Sequence, residues 1–199
     1  MAIAYTLATL KSSVIAWLEE DGTEFSDALN NIIDLAERQV VKDLSFSIFD
    51  ETATGTLTTA TLTKPTGWVA TIDLFVTESG EQRLLEPKPW GYVNLYGGAG
   101  APLYFAETSE TTITVAPAPT SAPYTMRYIK RPTSLVDTAN PGTTWLSENA
   151  GEALFFACIL NSEHFRKADE RLESAKAFYA ASIASVKEEL RHLSRKEYA

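Results

Sequence analysis

The sequence predicts an α+β fold in which N-terminal and C-terminal helix pairs close into one four-helix bundle, with an antiparallel β module inserted between them. Apolar residues recur every three or four positions near both ends of the chain, as one face of a helix requires. The middle of the chain is instead rich in Thr, Val, Tyr, Pro and Gly, which is typical of strands and turns. The predicted parts are the first helix pair over 1–46, the β module over 47–135, and the second helix pair with a terminal arm over 136–199.

The N-terminal pair is predicted from two apolar stripes. The first helix is expected over residues 7–20, with Gly22 as its C-terminal stop. The second is expected to start from a cap at Thr23 or Ser26 and to run to Leu44. We interpret its charged residues, Glu37 among them, as a solvated surface, with a subunit contact as the alternative.

The C-terminal pair is predicted to supply the centre of the bundle. After Trp145 the chain enters a run over residues 153–160 that is apolar on every side, which is typical of a helix buried all round. A long helix with one apolar stripe follows over residues 172–193. The lone Cys158 is interpreted as a small buried hydrophobe. The expected bundle core consists of Leu29, Ile33, Ala36, Val40, Leu154, Ala157, Cys158, Leu172 and Tyr179.

The β module is predicted as a series of hairpins. Strands are expected over residues 54–63, 68–77, 82–86, 102–107, 111–115 and 124–130, with prolines at their ends. The module is short of residues for a free-standing sandwich, so we expect it to project from the bundle.

Composition argues against several classes of function. A formal net charge of -9 and a pI of about 4.8 disfavour a protein that grips nucleic-acid phosphates over a broad face. With two histidines and one cysteine there is no ligand set at metal-binding spacing, and the glycines of residues 97–100 lead to a strand rather than a phosphate-binding helix. We therefore expect no cofactor, metal, membrane segment or catalysis. A cell-wall hydrolase built on scattered carboxylates is the enzymatic alternative.

Two stretches are candidates for binding other proteins. Aromatic residues crowd around the glycine loop, a composition that protein contacts favour. The predicted subunit or tail contact consists of Trp90, Tyr92, Tyr96, Gly97, Gly98 and Gly100. The C-terminal end is basic and amphipathic, and is predicted either as an arm that docks on a partner or as frayed solubilising residues. The arm residues are Leu190, Arg191, Leu193, Arg195, Lys196 and Tyr198.

Several segments, taken in order, carry a resemblance to a known family. Residues 33–44 hold an Ala-Glu step and a closing Asp-Leu on the second helix, and residues 84–87 and 101–105 belong to the central β region. Residues 113–119 and 124–128 are strands, and Trp145-Leu146 stands ahead of the long apolar helix. This order and spacing resemble those of the head-to-tail adaptor proteins of short-tailed bacteriophages.

The resemblance implies a structural virion protein. It implies a dodecameric ring of identical copies that binds the portal protein with its upper face and C-terminal arm, and holds tail nozzle or fibre proteins below. Genomic double-stranded DNA would pass through the lumen without sequence-specific binding, which an acidic wall with few phosphate contacts permits. The expected location is the head–tail interface of the virion, after synthesis in the host cytoplasm. A connector of a long-tailed phage is the related alternative.

Overall fold

The computed structural model describes residues 4–45, 48–78, 80–138, 142–163 and 171–196. The described residues of Met1–Ser45 and Pro132–Ala199 form one compact unit, and those of Phe46–Arg131 form a second. The first unit is helical, and the second is built mainly from strands. The predicted α+β class is therefore confirmed.

The helical unit is centred on one short helix. Its elements are α1 (Leu7–Leu18), α2 (Thr23–Leu44), α4 (Trp145–Asn149), α5 (Gly151–Asn161) and α6 (Arg171–Lys196). Helices α1, α2, α4 and α6 each pack on α5, and α2 also contacts α6. Residues Leu154, Ala157 and Cys158 of α5 are 0% exposed, because this helix has neighbours on most of its circumference and few polar residues to present to water.

The predicted four-helix bundle is not supported. The segment expected as a single C-terminal core helix is divided at Ala150, where the backbone leaves the helical conformation with φ -129° and ψ 29°. The described residues of the unit consequently hold α4 and α5 as separate helices. The other helices surround the short α5, so the arrangement is a shell around a central helix rather than two pairs that close on each other.

The helix ends follow local chemistry that the sequence only partly indicates. Thr6 before α1 and Thr144 before α4 each accept a hydrogen bond from the amide three residues later, which satisfies a donor that the first turn leaves free. Helix α1 ends at Leu18, and its C-cap Glu19 adopts the left-handed conformation with φ 53°. The stop expected at Gly22 is therefore wrong, and Gly22 is instead the N-cap of α2.

The β unit is a sandwich of two four-stranded sheets. Its strands are β1 (Asp50–Leu57), β2 (Thr61–Thr63), β3 (Trp68–Glu78), β4 (Glu81–Leu84), β5 (Glu86–Pro87), β6 (Tyr104–Glu107), β7 (Thr112–Ala116) and β8 (Ala122–Lys130). The first sheet has the order β1-β8-β3-β4 and the second β2-β7-β6-β5. Apolar side chains of both sheets share one core, in which Leu74, Ile113 and Met126 are 0% exposed.

The predicted hairpins are present, with three differences. Strand β3 pairs with β4, and β6 with β7, both antiparallel. Residues 54–63 contribute to two strands in different sheets, because a bend separates β1 from β2. Strands β5 and β6 run parallel, so the module is not antiparallel throughout. The expectation that the module is too short for a sandwich is also wrong, since a strand as short as two residues serves as an edge here.

A buried carboxylate ties a loop to α2 in the helical unit. Glu37 is 5% exposed and accepts hydrogen bonds from the Leu135 amide at 2.9 Å and from the Ser134 hydroxyl. Burial raises the pKa of Glu37, and the two hydrogen bonds oppose that rise. The interpretation of Glu37 as a solvated residue is wrong, because it lies one turn after the buried Ile33.

A buried lysine plays the corresponding part in the β unit. The side chain of Lys64 is 4% exposed, and its Nζ donates to the carbonyl of Ser109 at 3.0 Å. The same Nζ lies 3.4 Å from the ring centroid of Trp68 and 3.5 Å from a carboxylate oxygen of Glu107. The turn between β6 and β7 is thus fastened to the segment that follows β2.

Candidate interaction surfaces

A short helix holds aromatic side chains at the surface of the β unit. Helix α3 (Trp90–Leu95) has Val93 as its buried residue. Val93 packs with Ala106 of β6 and Ala116 of β7. One apolar contact therefore fixes the helix on the second sheet and leaves its larger side chains pointing outwards.

Several of these outward-facing residues are large and apolar. Leu95 is 84% exposed, Trp90 50% and Tyr96 42%. Single exposed apolar residues are ordinary, whereas a group of large ones marks a contact surface. We call the set Trp90, Tyr92, Leu95, Tyr96 and Tyr104 the aromatic patch.

Three tyrosines of the aromatic patch pack against one another. The ring centroid of Tyr92 lies 4.9 Å from that of Tyr96 and 5.2 Å from that of Tyr104, and the Tyr92 hydroxyl donates to the Tyr96 hydroxyl at 3.2 Å. Hydrogen bonding to Tyr96 and Tyr104 raises the pKa of Tyr92 above its ordinary value. Lys88 Nζ lies 5.7 Å from the Tyr92 ring and pairs with Glu86 at 2.9 Å. The rings are therefore held in place before any partner binds.

The glycine loop beside the patch has a defined backbone. Gly98 has φ 136°, a conformation that favours glycine. Its carbonyl accepts from the Ala118 amide at 2.8 Å, and the Gly100 amide donates to the Ala118 carbonyl at 2.9 Å. Gly97 and Gly100 are exposed. The structure brings the predicted contact residues onto one helix and the loop that follows it.

Helix α6 extends beyond the residues that anchor it. Ile183 is its last buried residue among those whose side chains are described. Val186 and Leu190 are half-buried, so the apolar stripe continues past Ile183 but is only partly covered there. Of the other predicted arm residues, Arg191 is exposed, Leu193, Arg195 and Lys196 lie within the helix, and Tyr198 is outside the described residues.

The residues expected in the helical core are buried in one unit. Leu29, Ile33, Ala36, Val40, Leu154, Ala157 and Cys158 are 0 or 1% exposed, Tyr179 is 8% and Leu172 is 9%. The Tyr179 hydroxyl donates to the Asp43 carboxylate at 2.6 Å, which satisfies a polar atom next to the core. Burial raises the pKa of the Cys158 thiol, so the sulfur stays protonated and unreactive at neutral pH.

The described residues lack a side-chain cluster for a metal ion and a helix that could span a membrane. They contain no group of three or more His, Cys, Asp and Glu side chains placed to hold a metal ion. In the same part of the chain, none of the helices has the length and apolar character of a membrane span. Two open grooves of about 420 and 620 Å³ lie on the β unit, the first beside Lys88 and the second beside the glycine loop.

The fold and its surfaces define a two-unit α+β protein whose distinctive exposed features suit contact with other proteins. The chain belongs to the SU10 adaptor protein family, whose model matches residues 5–197. It is therefore a bacteriophage adaptor protein, a structural component of the virion. No curated protein matches the chain.

Proposed function

We propose that this protein is the head-to-tail adaptor of a short-tailed phage. In this role a dodecameric ring of the chain binds the portal protein, extends the DNA channel and anchors tail nozzle or fibre proteins at the head–tail interface. The observation that carries the proposal is the family match over residues 5–197, because it spans both the helical unit and the β unit. A ring of this kind needs a contact between two different surfaces that repeats from copy to copy.

The end of α6 is assigned to the portal. A helix of 26 residues is about 39 Å long at 1.5 Å per residue, and none of its described side chains after Ile183 is buried. Arg191, Arg195 and Lys196 give this end a basic character on a chain with net charge -9. A partly uncovered amphipathic helix is the form in which many segments dock into a groove of a partner.

The aromatic patch and the glycine loop are assigned to a neighbouring copy or a tail protein. Tryptophan and tyrosine dominate the energetics of protein contacts because they bury a large area at little conformational cost. The rings of Tyr92, Tyr96 and Tyr104 pack against one another in tilted and edge-to-face contacts. They are already restricted, so less entropy is lost on binding.

The acidic composition fits the passage of DNA. A wall that offers few lysines and arginines makes few phosphate contacts and releases few counterions. With a net charge of -9, the chain supports a lumen through which double-stranded DNA slides without sequence-specific binding.

Electron microscopy of the purified chain, alone and mixed with the portal protein of the same phage, tests the proposal. We expect rings, and portal–adaptor complexes in the mixture. A variant that lacks residues 190–199 should fold but bind the portal more weakly. The matched control is Leu35→Ser, which removes a 53% exposed leucine from α2 and should bind normally. Undiminished portal binding by the truncated chain contradicts the arm assignment, and the absence of rings in every mixture contradicts the adaptor ring.

A further inference from the structure

The first sheet of the β unit has an unprotected edge. Strand β1 is eight residues long, mostly exposed, and reads Asp-Glu-Thr-Ala-Thr-Gly-Thr-Leu. Its two charged residues, Asp50 and Glu51, stand at its start; from Thr52 onwards it contains no proline or charged residue, and its register with β8 has no bulge. Proteins usually protect exposed edges with such devices, because a free edge is a template for pairing with another chain. An edge without them indicates that a partner strand covers it.

Backbone hydrogen bonds identify the residues of β1 that point outwards. The Lys130 amide donates to the Phe49 carbonyl at 2.8 Å, and the β1–β8 register places these two residues opposite each other. Hydrogen-bonded and non-hydrogen-bonded pairs alternate along an antiparallel ladder. The odd-numbered residues therefore bond to β8, and the outward amides and carbonyls are those of Asp50, Thr52, Thr54 and Thr56. In the described part of the chain these outward groups make no other backbone hydrogen bond.

The same reasoning applies to β4, at the other edge of the sheet. The Leu85 amide donates to the Leu74 carbonyl at 2.8 Å, and these residues are opposite in the β3–β4 register. Alternation then turns the backbone groups of Arg83 towards β3 and those of Gln82 and Leu84 outwards. Leu84 is 53% exposed.

The two edges match in direction and register. Successive strands in the order β1-β8-β3-β4 are antiparallel, so β1 and β4 run in opposite directions. A second copy placed beside the first by rotation about a ring axis brings its β4 antiparallel to β1. Across the sheet, Leu84 is level with Phe75, Thr125 and Thr54 in turn. Outward groups of one edge therefore meet outward groups of the other without a shift.

We propose that β4 of one copy pairs with β1 of the next, with Leu84 opposite Thr54 and Gln82 opposite Thr56. This inference rests on the proposed ring and names one of its subunit contacts, which we call the β1–β4 seam. Two hydrogen-bonded residue pairs contribute about four backbone hydrogen bonds. The occupant is a second copy because both edges belong to the same chain and are different surfaces, as a repeating ring contact requires.

Disulfide cross-linking in the full chain tests the seam. Residues of a hydrogen-bonded antiparallel pair have Cα atoms about 5.5 Å apart, within the range that a disulfide spans. The variant with Thr54→Cys and Leu84→Cys should form a ladder of covalent multimers on oxidation, which reductant collapses. The native Cys158 is buried and does not compete. The matched control combines Thr54→Cys with Arg83→Cys, whose side chain leaves the other face of the sheet, and should give no ladder.

The outcomes separate the seam from the ring. Rings without a ladder overturn the seam and leave the adaptor ring standing, whereas the absence of both overturns the two together. A ladder of equal yield in the control also overturns the seam. As a second variant, Thr56→Pro removes an outward amide but no hydrogen bond to β8, so it should fold and lose ring formation. Thr56→Ala keeps that amide and should form rings.

Discussion

The helical unit and the β unit each bury one charged side chain among the described residues, Glu37 and Lys64, and they compensate it differently. Glu37 receives hydrogen bonds from a hydroxyl and a backbone amide, which are neutral. Lys64 faces a carbonyl, an aromatic ring and the carboxylate of Glu107. A buried charge is costly unless an opposite charge compensates it. The carboxylate of Glu37 is therefore less well compensated than the ammonium group of Lys64. The difference predicts that the helical unit is more sensitive than the β unit both to pH and to removal of its buried charged side chain.

The largest effect is expected for Glu37→Ala. The Leu135 amide and the Ser134 hydroxyl lose their acceptor in a buried site, so the free energy of unfolding should fall by about 3 kcal/mol. Chemical denaturation followed by circular dichroism measures the change. The matched control is Asp27→Ala on the exposed side of α2, expected within about 0.5 kcal/mol of the parent. Equal losses in both variants would mean that the carboxylate does not hold the loop.

A smaller loss is expected for Lys64→Met, which keeps the apolar stem but removes the charge. The variant loses a charge-assisted hydrogen bond to the Ser109 carbonyl and the contact with the Trp68 ring. The partner carboxylate of Glu107 is 41% exposed and returns to water, so a loss of about 1.5 kcal/mol is expected. The denaturation midpoint measures it. The control is Lys130→Met, because Lys130 is half-exposed and its ion pair with Glu51 lies at the surface. If Lys64→Met lowered the free energy of unfolding more than Glu37→Ala does, the buried lysine would be the less well compensated of the two charges.

The substitution Gly80→Ala in the β3–β4 turn should lower the free energy of unfolding by about 1 kcal/mol. Gly80 has φ +88° with open space around its Cβ position, so Gly80→Ala is destabilising through backbone strain alone. The matched substitution is Gly91→Ala in α3, where the Cβ also meets open space and alanine favours the helix. Thermal melts should therefore shift in opposite directions. A shift of the same sign would show that the turn tolerates a side chain.

The free energy of unfolding of the helical unit should fall gradually as the pH rises. Burial raises the pKa of Glu37 above its ordinary 4.5, so between the unfolded and the folded pKa this carboxyl binds more protons in the folded state than in the unfolded state. The stabilisation that comes from protonated Glu37 is present below the pKa of the unfolded state, and it is lost as the pH rises through the pKa of the folded state. The free energy of unfolding of Glu37→Gln should consequently increase relative to that of the parent between pH 4 and pH 7. Denaturation midpoints at both pH values measure this, and a gain in the opposite direction would contradict the raised pKa.

The smallest effect on stability is expected for Leu95→Ser. This side chain is 84% exposed, so unfolding should change by less than about 0.5 kcal/mol. Binding of a neighbouring copy or a tail protein should weaken, since the aromatic patch loses an apolar member. Pull-down and thermal melting on the same samples separate the two readouts. A large loss of stability would show that Leu95 belongs to the fold and not to a contact.

The sequence predicts helices and hairpins correctly where the spacing of apolar residues matches the face that is buried. The three-and-four spacing of Leu29, Ile33 and Val40 marks a face that is buried. Helix α3 escaped prediction because tryptophan, glycine, tyrosine and valine are weak helix formers. It forms because Val93 finds Ala106 and Ala116, and these partners are remote in the chain.

The candidate surfaces were predicted by composition rather than by geometry. The density of aromatics around the glycine loop indicates a contact, but the sequence does not show which rings are exposed. Phe105 enters the sandwich core at 7% exposure, whereas its neighbour Tyr104 makes edge-to-face contacts with Tyr92 and Tyr96 of the patch. The burial of Glu37 was missed because its partners lie 97 and 98 positions later.

The long helix α6 is packed unevenly along its length. Its first half rests on the core through Ala175 and Tyr179. Its second half is supported by exposed pairs such as Glu188 with Arg191 and His192, at 3.6 and 3.2 Å, which contribute little and weaken in salt. Amide hydrogens should therefore exchange progressively faster towards the C-terminus. A helix with this distribution of contacts should unwind from one end without disturbing the core, and a partner that bound that end would slow the exchange of its amides.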